Sequence, residues 1–177
     1  MKGIMFRDDM LKAIEEGRKT VTRRKFKEQP PKNSALKKIC IAKARYHKDE
    51  IVYIKEPYDI RTLSFAGGVG SYCPPYSMHI VYKAVEPNAP NAKWRNKMFM
   101  PTKYARNYAL IIDVRPRLLL DIGKTEAKLE GFNSREEFIA CWCDMYGKDS
   151  WERDKGDWVW RIEFKPIPTE IIRKVVK

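Results

Sequence analysis

No apolar run in this sequence approaches the roughly 18 residues that a membrane-spanning helix needs, and the mean hydropathy is -0.58. A spanning helix is therefore not expected. Histidine is scarce, with two residues, and the four cysteines at 40, 73, 141 and 143 include no Cys-x-x-Cys. Cys141 and Cys143 stand two apart in a helical pattern, where side chains diverge, so a zinc site would have to draw on scattered ligands. Reduced thiols, with neither metal nor cofactor, are the expectation. The residues after Met1 lead straight into a helical periodicity, so no signal or transit peptide is expected and the expected location is the cytoplasm. Acidic residues are missing most unevenly. Residues 17–48 hold twelve Lys and Arg against the single acid Glu28, and residues 57–108 hold seven against Asp59 and Glu86. From residue 109 onward thirteen bases meet thirteen acids, so the formal net charge of +13 belongs to the part before it.

What is present suffices for a core without disulfide staples: 177 residues, 44% hydrophobic, with five Trp, nine Tyr and seven Phe. One domain over residues 1–177 is expected. The basic stretches interleave with Tyr46, Tyr53, Tyr58, Phe65, Tyr72, Tyr76 and Trp94. Such a run reads as a solvated face or as a surface for phosphates, whose neutralisation releases condensed counterions. The asymmetry between the two halves favours the second reading.

Phe6, Met10, Ala13 and Ile14 fall at helical spacing, with Asp8 and Asp9 in the first turn and Gly17 at the end, which predicts a helix over 8–16. Arg18 to Arg24 is β-branched and charged and predicts an extended segment. Pro30-Pro31 starts a loop, and Ile51–Ile54 predicts a buried strand. Residues 57–108 are punctuated by Pro57, Gly67-Gly68, Gly70, Pro74-Pro75, Pro87 and Pro90, and only 78–84 resembles a strand. They are expected to be a long, partly ordered insertion that carries function. A strand is predicted over 109–115, with Leu110, Ile112 and Val114 on one face and Pro116 closing it. Lys124–Glu130 predicts a short helix ended by Gly131. The capping box Ser134-x-x-Glu137 opens another, with Phe138, Trp142, Met145 and Tyr146 as its stripe and Gly147 as its stop. A last strand over 157–165 alternates Trp158, Trp160, Ile162 and Phe164 with Val159, Arg161 and Glu163, which predicts one buried face and assigns both Trp to the core. Residues 166–177 are expected to be a C-terminal extension. Short strands with about three helices among them make an α+β fold around a small barrel or curled sheet.

The run Gly17-Arg18-Lys19-Thr20-Val21-Thr22-Arg23-Arg24 behind a short helix resembles the opening of ASCH domains, and Trp158-Val159-Trp160-Arg161-Ile162-Glu163-Phe164 resembles their closing strand. Ile51-Val52-Tyr53-Ile54-Lys55-Glu56-Pro57 is similar to a strand of phage and prophage members, as are Trp94-Arg95, Met100-Pro101 and Ala105-Arg106 to the segment before their next strand. The resemblance spans roughly residues 3–165. It implies a PUA-like small β-barrel with an RNA or single nucleoside in its cleft. A branch of these proteins removes the acetyl group from 4-acetylcytidine. By resemblance to it, Lys19 is the base, Thr22 the nucleophile and Glu130 an acid/base partner, with Arg24 beside the site. This chain departs from that branch in its long insertion and in the more basic Arg23-Arg24-Lys25.

Taken alone, Lys19 reads as a phosphate contact, Thr22 as an ordinary strand residue and Glu130 as a solvated helix residue. A threonine hydroxyl needs an adjacent base, and a lysine serves only where burial or neighbouring cations disfavour its ammonium. On a regular strand Lys19 and Thr22 face opposite ways, so their convergence requires a turn or bulge between them. The expected function is binding of RNA or a modified nucleoside in a basic cleft walled by residues 18–24, Glu130 and part of the insertion. Its binding residues are Arg18, Arg23, Arg24, Lys25, Trp94, Arg95 and Arg106. The alternative is an amidohydrolase with Lys19, Thr22 and Glu130. A weaker third is a protein whose basic face docks an acidic partner. No membrane and no obligate protein partner is expected.

Overall fold

The computed structural model describes residues 1–29, 44–63, 77–169 and 171–172. In chain order the elements are β1 (Lys2–Met5), α1 (Asp8–Glu15), β2 (Val21–Lys25), β3 (Ile51–Lys55), β4 (Tyr58–Leu63), β5 (Ser77–Tyr82) and β6 (Tyr108–Leu118). Then follow α2 (Lys124–Leu129), α3 (Arg135–Tyr146), α4 (Ser150–Asp154) and β7 (Trp158–Ile167). Five strands form one mixed sheet in the order β1-β3-β6-β7-β2, and β4 and β5 make a separate antiparallel pair. Only the β1–β3 pairing is parallel in the large sheet. The expected α+β class holds, with four named α-helices among the described residues where about three were expected.

The sheet is curled rather than closed. β1 and β2 lie at opposite ends of the strand order, yet the Arg24 guanidinium on β2 donates to the Met5 carbonyl at the end of β1. The Phe6 ring, one residue on, packs 5.6 Å from Phe164 of β7. Among the described residues no backbone ladder joins the two edges, so of the two forms expected, a small barrel or a curled sheet, they form the curled sheet. A side chain bridges the seam instead. Inside the curl lies a core that includes Ile4, Leu11, Val52, Ile111, Ile162 and Phe164. Outside β7 a second core gathers Leu119, Ile122, Phe138, Trp142, Trp151 and Val159 under the helices. Each side chain so buried contributes about 1.5–3 kcal/mol of transfer free energy.

Three strand expectations need correction for physical reasons. Alternation placed Leu110, Ile112 and Val114 on the buried face of β6, but Ala109, Ile111 and Val114 are the buried ones. A bulge between Ile111 and Asp113 inserts one residue and reverses the parity. Pro116 does not close β6, and Pro166 does not lie outside β7. β3 pairs with β6 only as far as Leu110, and β2 pairs with β7 only as far as Glu163, so each proline stands where one neighbouring strand is gone and no donor is missed. β7 has two buried faces rather than one. Val159 and Arg161 are buried opposite Ile162 and Phe164, while Trp158 and Trp160 are half-buried. Trp160 stacks on Phe26 at 4.2 Å.

The helices follow their local signals closely. Gly17 (φ 73°) ends α1, the Ser134 hydroxyl accepts from the Glu137 N–H at the start of α3, and Gly147 ends that helix. β1 and α4 were not expected. Residues 57–108 contain the β4–β5 pair and two 3-10 turns, Lys97–Phe99 and Thr102–Tyr104. The "extension" begins inside β7, and Ile172 packs in a third small core with Tyr53 and Tyr108. The Pro30-Pro31 loop, the Gly67-Gly68, Gly70 and Pro74-Pro75 punctuation, Phe65, Tyr72, Tyr76, Cys40 and Cys73 lie outside the described residues. No described helix is long and apolar enough to cross a membrane.

Candidate functional site

Gly131 decides how the site is assembled. It follows the α2 C-cap residue Glu130 with φ 91°, a conformation that L side chains rarely adopt. A Cβ there would stand 3.0 Å from the Ala13 Cβ and 3.2 Å from the Lys19 Cβ. The turn lets α2 press against the segment leaving α1, where Lys19 and Glu130 form an isolated antiparallel bridge and the Thr20 N–H donates to the Leu129 carbonyl at 2.9 Å. β2 begins only at Val21. Lys19 therefore lies off the regular strand and Thr22 on it, so the backbone departs from a regular strand between them.

Lys19 bonds to Glu130, and Thr22 shares the lining of a cavity with Glu130. Lys19, fully buried, donates from Nζ to Glu130 Oε2 at 2.7 Å and to the Glu130 carbonyl at 2.8 Å. Burial pushes the Lys19 ammonium below its ordinary range, and the Glu130 carboxylate opposes that shift. Arg23 Nη1 reaches Glu130 Oε1 at 3.1 Å, and its Nη2 reaches Glu126 at 2.7 Å. Glu126 accepts a two-pronged contact from Arg161 at 2.9 and 3.1 Å, and Arg161 also donates to Glu163 at 2.8 Å. Three cations thus face three carboxylates. Charge is balanced within this network, while Arg24, which bonds to the Met5 carbonyl, has no carboxylate partner among the described residues. Arg23 Nε remains buried and without a hydrogen-bond partner among the described residues.

Beside this network is a cavity of about 20 Å³ lined by Thr22, Arg23, Arg24 and Glu130 on one side and by Phe138, Trp142 and Tyr146 among others on the other. Lys19 stands behind Glu130, outside the lining. The Thr22 side chain makes no hydrogen bond among the described residues. That volume holds one water-sized molecule. The cavity lining includes the exposed Met145 and the half-buried Tyr146, which form its rim. At the same rim Lys25 donates to Asp154 and sits 4.2 Å from the Tyr146 ring centroid.

Of the residues expected to bind a ligand, Arg23 and Arg24 line the cavity, Lys25 borders it, and exposed Arg18 holds the Gly131 carbonyl at 3.0 Å. Trp94, Arg95 and Arg106 do not join them. Half-buried Trp94 and exposed Arg95 lie beside β4, where the Arg95 N–H donates to the Tyr58 carbonyl at 2.8 Å. Arg106 is held by Glu56 and Glu15 at 2.7 and 2.6 Å, along a separate groove of about 360 Å³. Burial pushes the Glu56 carboxyl up against the pull of that guanidinium. Glu126 and Arg161 were missed from the sequence. The one available signal was a charged residue on a strand whose alternate positions are also apolar.

Glu126 yields a pH prediction. Hydrogen bonds from Arg161, then from Arg23, hold its carboxyl down at about 2 instead of 4.5. A carboxyl with a depressed folded-state pKa adds stability that is present above about pH 4.5 and lost as pH falls toward about 2. The urea midpoint is expected to fall across that window, and Glu126→Gln should flatten the fall. An equally steep fall in the variant rejects the assignment. In comparisons with known proteins, no family model, no curated protein and no solved structure matches the chain.

Proposed function

We propose that this chain is an ASCH-type domain of the PUA-like group, its curled sheet standing for the group's small barrel, and that its cleft binds a modified nucleoside, free or within RNA. The supporting observation is the meeting of Thr22, Arg23, Arg24 and Glu130 on one aromatic-walled cavity. Phe138 and Trp142 form its buried apolar wall and half-buried Tyr146 stands at its rim, surroundings that suit a flat heterocycle. Arg23 Nε is a buried polar atom with no hydrogen-bond partner among the described residues, the kind that fixes a ring's orientation once it is seated. Charge balance within the Lys19, Arg23 and Arg161 network favours an uncharged base or nucleoside beside it, with phosphates left to the surface. Titration calorimetry with 4-acetylcytidine, cytidine and single-stranded RNA tests the reading. Saturable heat with a nucleoside is the expected result; no heat with any of the three removes it.

The arrangement also favours a second reading, hydrolysis of the acetyl amide of 4-acetylcytidine. A hydroxyl without a hydrogen-bond partner lies on the same cavity as a carboxylate, and a buried lysine with a depressed pKa backs that carboxylate. In this scheme the Thr22 oxygen bonds to the acetyl carbon and the bond to the exocyclic nitrogen breaks. The Thr22 proton passes through the Glu130–Lys19 pair to the leaving amine, and water then hydrolyses the acyl-threonine. Glu130 is the member of the pair that lines the cavity, so Lys19 acts through it.

A further inference from the structure

At the cleft Lys19, Arg23 and Lys25 are paired with carboxylates and Arg24 bonds to a backbone carbonyl, so few cations there are left for a strand's phosphates. Residues 87–107 hold five bases and no acid. Within them Arg95 lies 6.0 Å from the Tyr58 ring centroid and Lys103 lies 4.8 Å from the Tyr104 ring centroid. Those two rings pack against each other at 5.5 Å. Both cations are exposed and neither has a carboxylate partner among the described residues. Between them in sequence is the 3-10 turn Lys97–Phe99, whose Phe99 is 74% exposed, more than any other large apolar residue described.

That turn is rigid. Asn96 caps it through the Met98 N–H at 2.9 Å, and Lys55 Nζ donates to the Met98 carbonyl at 2.6 Å. Lys97 Nζ donates to the Phe6 carbonyl at 2.6 Å, while buried Met100 anchors the next residue and accepts from the Tyr53 hydroxyl at 3.1 Å. A chain of contacts links the turn to the cleft. Lys55 is the register partner of Met5, and the Met5 carbonyl accepts from Arg24, which lines the cavity. An exposed aromatic ring pinned on a basic, acid-free segment matches one base face with phosphates on either side; a protein partner would need a far wider apolar area.

We propose that residues 93–104 form a track for single-stranded RNA, with a base stacked on Phe99 and phosphates at Arg95 and Lys103. This rests on the reading that the cleft takes a nucleoside, and it adds that the nucleoside arrives within a strand. The test compares wild type, Phe99→Ala, Phe99→Trp and the double variant Arg95→Gln/Lys103→Gln, each titrated with a short mixed-sequence RNA and with free 4-acetylcytidine. Phe99→Ala should weaken RNA binding roughly tenfold, Phe99→Trp should restore it, and neither should change nucleoside binding. The double variant should flatten the logarithmic salt slope by about 0.7 per cation removed. Wild-type nucleoside binding with RNA affinity unaltered by Phe99→Ala, or with no RNA binding at all, overturns the track and leaves the cleft reading intact. Absence of binding to both probes overturns both.

Discussion

Glu130→Ala is expected to cost about 3–5 kcal/mol of folding stability, which would lower the melting midpoint of a chain this size by on the order of 10 °C. The reason is what the carboxylate leaves behind. Lys19 is fully buried and the Arg23 side chain is 1% exposed, and both donate to Glu130. Removing the acceptor strands one ammonium and half of a guanidinium away from water. Lys19→Met should cost much less, because Glu130 keeps its contact with Arg23 and methionine fills a similar volume. Arg23 in turn keeps Glu126. The asymmetry between the two variants is the diagnostic, read from urea or thermal midpoints. Equal and small losses, under about 1 kcal/mol for both, would mean that the pair is solvated and not the buried ion pair described.

Under the hydrolase reading, Thr22→Ala should lower kcat on 4-acetylcytidine at least about a thousandfold, the loss expected when an attacking oxygen is deleted. Binding should survive, because the Thr22 hydroxyl bonds to no other described residue and its loss leaves no partner stranded. Thr22→Ser, which keeps the oxygen and drops only a methyl group, should retain most of the rate. Cytidine release would be followed for all three proteins. Equal release by Thr22→Ala and wild type removes Thr22 as the nucleophile. No release by wild type, with 4-acetylcytidine bound, leaves a binding cleft and no turnover.

Much of this protein was legible where the deciding residues are neighbours in sequence. The helix after Asp8 and its stop at Gly17, the Ser134 cap, and the turn at Gly131 each depend on backbone donors, acceptors and φ values within a few positions. Lys19, Thr22 and Glu130 were gathered by resemblance, and the fold brings the first two to the third. Trp94 and Arg106 were grouped with them because basic and aromatic residues attract attention in composition. Their partners are elsewhere: Arg106 belongs to Glu56 and Glu15.

The sequence by itself determined the helices α1 to α3, the positions of β3 and β7, and the lopsided distribution of charge, because periodicity, capping and composition are local properties. Only the tertiary structure decided what those charges do. Lys19 and Glu130 are 111 residues apart, Arg23 and Glu126 are 103 apart, and pairing over such distances turns a basic count into a balanced network. The same holds for Pro116 and Pro166, which break a strand or continue it according to whether a neighbour needs their missing N–H, and for β6, where one bulged residue reverses which side chains are buried. Each of these depends on which strand or helix lies alongside, a fact that no single segment carries.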